Sequence, residues 1–219
     1  MENLKAKETF LRTKIVKVGE YLWQRGLVAA NDGNISARLS ATEILITPTG
    51  ISKGMMQAEE LIVVDLEGKV LRGDLKPSSE QLMHLEVYQQ RTEIEAVVHA
   101  HPPYATTFAV AGESLTKQIL TEVTVLVGEV PLAPFALPST AEVAESIHSL
   151  ILDHDLILLE FHGALTLGRS LDEAYYNMER LEFYARISWN LRQGGIEREF
   201  NPEQAAKLAV LKLKLQGVK

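Results

Sequence analysis

The chain has 219 residues, 46% of them hydrophobic, enough for one sizeable core; no Gly/Ser-rich linker or Pro-rich tract divides it, so the expectation is a single domain over 1–219. A net charge of −7 without a long basic run does not suit a nucleic-acid backbone, although a local pocket can oppose the global sign and hold an anion. With no cysteine there are no disulfides and no thiolate metal ligands, so any transition metal must be held by His, Asp or Glu.

In chain order, the opening MENLKAKETFLRTK has scattered charge and no apolar leader. No stretch reaches the roughly 18 uninterrupted apolar residues of a membrane span, and the expectation is a cytoplasmic protein with no membrane partner. Phe10, Leu11, Ile15, Val18 and Leu22 have the spacing of an amphipathic helix over 5–25, ending near Gly26. NDGNISARL reads as a turn and a short alternating strand, and EILITPTG as a second strand stopped by Pro48 and Gly50. LIVVDLEGKVL reads as a hairpin turning at Glu67-Gly68. KPSSEQLMHLEVYQQR is a helix capped by Ser78 or Ser79, with Glu80 in its first turn. AVVHAH is a strand, followed after Pro102 and Pro103 by a helix over 104–111. VPLAPF is a short strand, STAEVAESIHSLI a capped helix, and LILLEF a buried strand ending at His162-Gly163. A long helix over 171–192 and a shorter basic one over 202–214 complete the chain. Helices interspersed with hairpins predict an α/β fold, a mixed, largely antiparallel sheet flanked by helices.

His99 and His101 are two apart in a predicted strand, so both imidazoles point to one face, shared with Val97, and form a ready pair of ligands. An HxH pair also occurs by chance at strand ends, which makes the other donors decisive. His162 closes the apolar strand LILLEF at a strand-to-loop exit, where ligating groups often sit. Glu80 lies at a helix N-terminus, where the helix dipole favours a carboxylate. His84 is one helical turn from Glu80 on the same face, a rival ligand read here as structural. His148 and His154 fall in no recognisable pattern and are read as surface residues. Three histidines and a carboxylate suit one divalent ion per chain. Zinc fits best, and manganese, cobalt and iron are also compatible.

Three short segments have the make-up of anion-binding turns: Gly33-Asn34, Thr49-Gly50, and Ser78-Ser79 opening a helix. Lys53 and Lys76 could add positive charge, but nothing in the sequence fixes them near these turns.

DGNISARL, LITPTGISKG, KPSSEQLMHLEVYQ, AVVHAHPPYAT, VPLAPF and EFHGALTLG, in this order over roughly residues 10–195, resemble the class II aldolase/adducin family, most closely its L-fuculose-1-phosphate aldolase branch. The resemblance implies a class II aldolase-like fold. It implies metal ligands at His99, His101, His162 and Glu80, with Glu80 also the acid/base. It implies phosphate contacts at Gly33, Asn34, Thr49, Gly50, Ser78 and Ser79, and a homotetramer with sites between subunits. The implied reaction is cleavage of a ketose 1-phosphate, through an enediolate, to dihydroxyacetone phosphate and an aldehyde. Three places depart from the branch: Leu120 stands where a tyrosine proton donor is expected, Phe161 where a second histidine precedes the HG pair, and the tail KLAVLKLKLQGVK has no tyrosine. Other members of the superfamily act as sugar-phosphate 4-epimerases, dehydratases or decarboxylases. Epimerases usually carry Asp after the serine pair, so Glu80 favours cleavage. Adducin-type domains without catalysis would be expected to lose ligands, and this chain keeps all four.

Overall fold

Alternation of apolar side chains along short β-branched segments builds the middle layer of the fold. The computed structural model describes residues 2–215. Met1 and residues 216–219 lie outside the described residues, and with them both ends of the expected 1–219 domain and the last part of the tyrosine-free tail. The strands are β1 Asn34–Arg38, β2 Glu43–Ile46, β3 Ile62–Asp65, β4 Val70–Arg72, β5 Ala96–Ala100, β6 Leu132–Ala133, β7 Leu156–Leu159 and β8 Gly163–Gly168. They form one sheet in the order β4-β3-β2-β1-β5-β8-β7-β6. Every neighbouring pair is antiparallel except β6 with β7, so the sheet is mixed and largely antiparallel, as expected.

The helices are α1 Glu2–Gln24, α2 Gln81–Gln90, α3 Pro103–Val110, α4 Ala141–Ile147, α5 Leu171–Gln193 and α6 Pro202–Leu215. Ile35, Ala37, Leu45, Val63, Val98 and Leu158 pack with Ile15 and Leu22 of α1, Phe108 of α3 and Met178 and Leu181 of α5. The intervening strand residues Ile44, Ile46, Val64, Val97, Leu165 and Leu167 pack on the other face with Met83, Val87 and Tyr88 of α2 and Ile147 of α4. Burial of each Val, Leu, Ile, Phe or Met side chain among these is worth about 1.5–3 kcal/mol; with both faces of the sheet covered in this way, the result is a three-layer α/β fold. No described helix is long and apolar enough to cross a membrane.

Four details differ from the sequence reading. GALTLG is a full strand, β8, hydrogen-bonded to both β5 and β7, whereas the sequence suggested only an exit after His162. Its small residues carry little β-propensity, and burial on both faces hides any alternation. VPLAPF contributes only Leu132–Ala133 at the sheet edge. AVVHAH leaves the ladder after Ala100, because the N–H of His101 turns to the carbonyl of Leu27, 2.9 Å away. The stretch between α3 and β6, unassigned from sequence, contains a π-helical turn at Val123–Val127.

Candidate active site

The sheet register aligns the first elements of the site. Asn34 of β1 and Leu165 of β8 flank His99 of β5 directly, so Asn34 and His99 face the same layer. His99 is fully buried, and its Nδ1–H donates to the Ala164 carbonyl at 2.9 Å, which leaves the lone pair of Nε2 free. His101 places its Nε2 3.1 Å from that of His99 and turns Nδ1 toward a carboxylate oxygen of Asp32, 3.6 Å away. His162 lies in the three-residue connection 160–162 between β7 and β8, with its Nε2 3.1 Å from Glu80 Oε1. The three ring centroids are 4.6–5.1 Å apart. Glycine at 163 is what allows this: a Cβ there would lie 2.6 Å from both the Ala100 carbonyl and the His101 ring.

Glu80 enters from the other direction, at the N-terminus of α2. It is the cap position itself, one residue ahead of the expected first turn. Its side chain makes no capping bond; instead the Ser78 hydroxyl accepts from the Glu80 N–H at 3.2 Å. The carboxylate is therefore released toward the histidines. Oε2 accepts from Asn34 Nδ2 at 2.9 Å and lies 3.3 Å from His99 Nε2, while buried Oε1 has no hydrogen-bond donor. Burial alone would raise its pKa, but His99 and His162 beside it hold the carboxyl well below the usual carboxylate range. Burial, followed by His99 and His162, pushes His101 down to about 3 against the pull of Glu80, so that imidazole is neutral at pH 7.

The Nε2 atoms of His99 and His101 meet at 3.1 Å beside a carboxylate oxygen that has no hydrogen-bond donor. A cation satisfies them. The histidine nitrogens lie within 4.8 Å of one another. Contacts of 3.1–3.3 Å around Glu80 and His99 are close to the roughly 3.3 Å edge of a tetrahedron with 2.0–2.1 Å bonds. The residues present thus fit a divalent ion with nitrogen and oxygen ligands.

All three predicted anion turns converge on one cavity of about 190 Å³, lined among others by Gly33, Asn34, Thr49, Gly50, Ser78, Ser79, Glu80, His101 and His162. Two of the turns are joined: the Thr49 N–H donates to the Lys76 carbonyl at 3.1 Å and the Ser78 N–H to the Thr47 carbonyl at 3.0 Å. Gly33 has φ +73°, and a Cβ there would meet the His99 carbonyl at 2.8 Å. Lys53 also lines the cavity, buried, with its ammonium donating to the carbonyls of Asn31 and Ile51. Burial pushes it down to about 8, with Asp32 pulling the other way. The Lys76 side chain is exposed and outside the lining. A larger cavity of about 460 Å³, beside the Glu113–Arg192 ion pair, contains none of the predicted site residues.

The non-glycine residues with positive φ among those described are Ala30, Ser139 and Phe161. Ser139 lines the cavity, Ala30 precedes its Asn31-Asp32 wall, and Phe161 precedes His162. Backbone strain of this kind concentrates at functional sites. Asp32, Pro138 and Ser139 were not picked out from sequence, and only the geometry of the folded chain reveals them. His84 is fully buried, with both ring nitrogens hydrogen-bonded inside the protein, as the structural reading expected. His148 is exposed and paired with Glu86, and His154 is half-buried. Leu120 packs against the larger apolar cluster and is not part of the cavity lining.

Fold and site together describe an α/β protein with a histidine-carboxylate cluster able to hold a divalent cation beside a polar pocket. The chain belongs to the Class II Aldolase and Adducin N-terminal domain family, whose model matches residues 13–189. It is 36% identical over 177 residues to the L-fuculose phosphate aldolase of Methanococcus maripaludis, covering 81% of this chain and 95% of that protein. It is 33% identical over 182 residues to the 3-oxo-tetronate 4-phosphate decarboxylase of Haemophilus influenzae, covering 81% and 86%. The crystal structure of YgbL from Escherichia coli, described as an aldolase/epimerase/decarboxylase, superposes with a TM-score of 0.85 at 32% identity, covering 92% of this chain and 98% of that one.

Proposed function

We propose that the chain is a cytoplasmic, divalent-metal-dependent carbon-carbon lyase that cleaves a ketose 1-phosphate to dihydroxyacetone phosphate and an aldehyde. The observation that carries this reading is the Glu80 carboxylate, held between Asn34, His99 and His162 at the floor of a pocket rimmed by three anion turns. His99, His101, His162 and Glu80 would hold the ion, zinc in the first instance, which supplies Lewis-acid stabilisation of charge on the substrate's carbonyl oxygen. Gly33, Asn34, Thr49, Gly50, Ser78 and Ser79 seat the phosphate, with Lys53 providing positive charge behind them. Breaking C3–C4 would leave its electron pair on the ketone half as an enediolate; the C4 hydroxyl proton would pass to water, and Glu80, protonated in turn from water, would deliver a proton to C3. Assembly as a homotetramer would bring further groups to the site.

A second reading has its own support. Retro-aldol cleavage needs a group to take the proton of the C4 hydroxyl, and Leu120 stands where the family resemblance leads one to expect that group. Loss of carbon dioxide from a 3-oxo acid phosphate has no such hydroxyl to deprotonate, and it leaves the same enediolate for Glu80 to protonate. The Haemophilus relative is named for that reaction.

The purified protein is expected to carry close to one divalent ion per chain, and metal analysis that finds none, with no uptake of added zinc or manganese, removes the site. A panel of ketose 1-phosphates, deoxy sugars included, and 3-oxo-tetronate 4-phosphate separates the readings. Dihydroxyacetone phosphate with an aldehyde supports the aldolase, dihydroxyacetone phosphate with carbon dioxide supports the decarboxylase, and an isomerised sugar alone points to an epimerase and defeats both.

A further inference from the structure

Between α2 and the otherwise apolar face of the sheet runs a row of buried polar side chains, of which only the last, Asn34, reaches the pocket. Tyr88, Ser36, His84 and Asn34 are each no more than 3% exposed. The Tyr88 hydroxyl lies 2.8 Å from Ser36 Oγ, Ser36 Oγ 2.7 Å from His84 Nδ1, and His84 Nε2 2.5 Å from Asn34 Oδ1. Asn34 Nδ2 then donates to Glu80 Oε2 at 2.9 Å. Burying four polar groups where leucines would pack is costly unless each is bonded, and here each is.

The direction of every proton in this chain is determined. The Glu80 carboxylate only accepts, so Asn34 must present Nδ2 to it and Oδ1 to His84. An amide oxygen only accepts, so His84 Nε2 carries the hydrogen. The buried imidazole is neutral, held down to about 3 by desolvation and then by His99, against the pull of Glu80, so its Nδ1 is bare and accepts from the Ser36 hydroxyl. Ser36 Oγ in turn accepts a hydrogen bond from the Tyr88 phenol, which burial keeps protonated by raising its pKa. Turning the Asn34 amide over would set its oxygen against a carboxylate and its NH₂ against an imidazole N–H, two repulsions at once. Aligned donors also polarise one another toward the anion at the end of the chain.

We propose that Tyr88, Ser36 and His84 form a one-way hydrogen-bond relay that locks the Asn34 amide and so positions the Glu80 carboxylate, making His84 a positioning residue of the active site. This rests on the reading of Glu80 as the working acid/base, and the experiments keep the two apart. Nitrogen-15 imidazole spectra of the unmodified protein, with His84 assigned by its loss in His84→Gln, are expected to show hydrogen on Nε2 and a bare Nδ1. Hydrogen on Nδ1 overturns the relay whatever the enzyme does. With the Nε2–H tautomer confirmed and no lyase substrate turned over, the function falls and the relay stands.

In the zinc-loaded enzyme, His84→Leu is expected to lower kcat and weaken zinc binding about 10–100-fold, with KM changed far less. His84→Gln, which keeps an N–H toward Asn34, should recover to within about threefold of the parent on both measures. Equal damage in the two variants, or damage in neither, overturns the proposal. Should His84→Leu fail to fold, Ser36→Ala serves instead. It removes the one hydroxyl facing Nδ1, and is expected to keep the hydrogen on Nε2 against Asn34, to shift the resonance of the now undonated Nδ1, and to lower zinc affinity. An unmoved Nδ1 resonance and an unchanged affinity in Ser36→Ala would equally defeat the relay.

Discussion

The two ends of α2 each bury a charge, and they use it in opposite ways. At the N-terminus, Glu80 keeps one buried oxygen without a donor and faces three imidazoles across a pocket. Past the C-terminus, the buried guanidinium of Arg38 donates to the carbonyls of Tyr88, Arg91 and Ile94 and lies 4.8 Å over the Tyr88 ring. Both charges suit the helix dipole, negative at the start and positive at the end. The difference lies in unused valence. Arg38 has no buried nitrogen left over, so its charge only fastens chain to chain. Glu80 has capacity to spare, and a buried group with capacity to spare can bind or move something else.

Removing each charge in turn tests that contrast. Glu80→Gln should have the largest effect on chemistry, a fall in kcat of about 10³-fold, with the melting temperature moved by no more than about 4 °C. Near-normal turnover in this variant would mean that the carboxylate is not the acid/base. Arg38→Met should do the reverse. It removes a donor from three carbonyls, of which that of Arg91 keeps the Ile94 N–H, and is expected to cost about 3 kcal/mol of stability, or some 6–12 °C in melting temperature. Turnover per folded molecule should fall less than about threefold, since Arg38 contacts the carbonyl and ring face of Tyr88, not the hydroxyl that bonds Ser36, and nothing in the pocket. Denaturant melts alongside kcat measure both, and an Arg38→Met protein as stable as the parent would dissolve the comparison.

The contrast also shows which parts of the molecule could be read from residues alone. Helices with a clear apolar stripe, strands between turn residues and the HAH face follow from periodicity, a local property. β8 is harder to see because GALTLG owes its strand to being sandwiched between β5 and β7. At the site, His99, His101 and Glu80 are visible as donor types at telling positions. That Asn34 reaches Glu80 across 46 residues, and that Asp32 lies behind His101, depends on the register of β1 against β5 and on the loop ahead of β1. His84 is the instructive case. Its spacing from Glu80 made it a rival ligand, and what separates it from His99 is that both of its nitrogens are bonded away from the cluster, whereas His99 turns Nε2 toward His101 and Glu80.

Lys53 is intermediate between Glu80 and Arg38, and its expected effect is the smallest. It is buried like Arg38 and bonded to two carbonyls, yet it lines the pocket like Glu80. Its pKa is lowered from 10.5 to about 8, chiefly by burial, with Asp32 opposing. Between those two values the unfolded chain holds a proton that the folded chain has given up. The stability contributed by this group therefore rises as pH increases from about 8 to about 10.5, at no more than about 1.4 kcal/mol per pH unit, and is level below that window. Lys53→Met lacks the titration. Stability of the parent relative to this variant, followed by denaturant melts from pH 6 to 10, should climb only above about pH 8. A flat difference would show that Lys53 keeps its proton and behaves like Arg38, a fastening charge whose electrostatic needs are met within the fold.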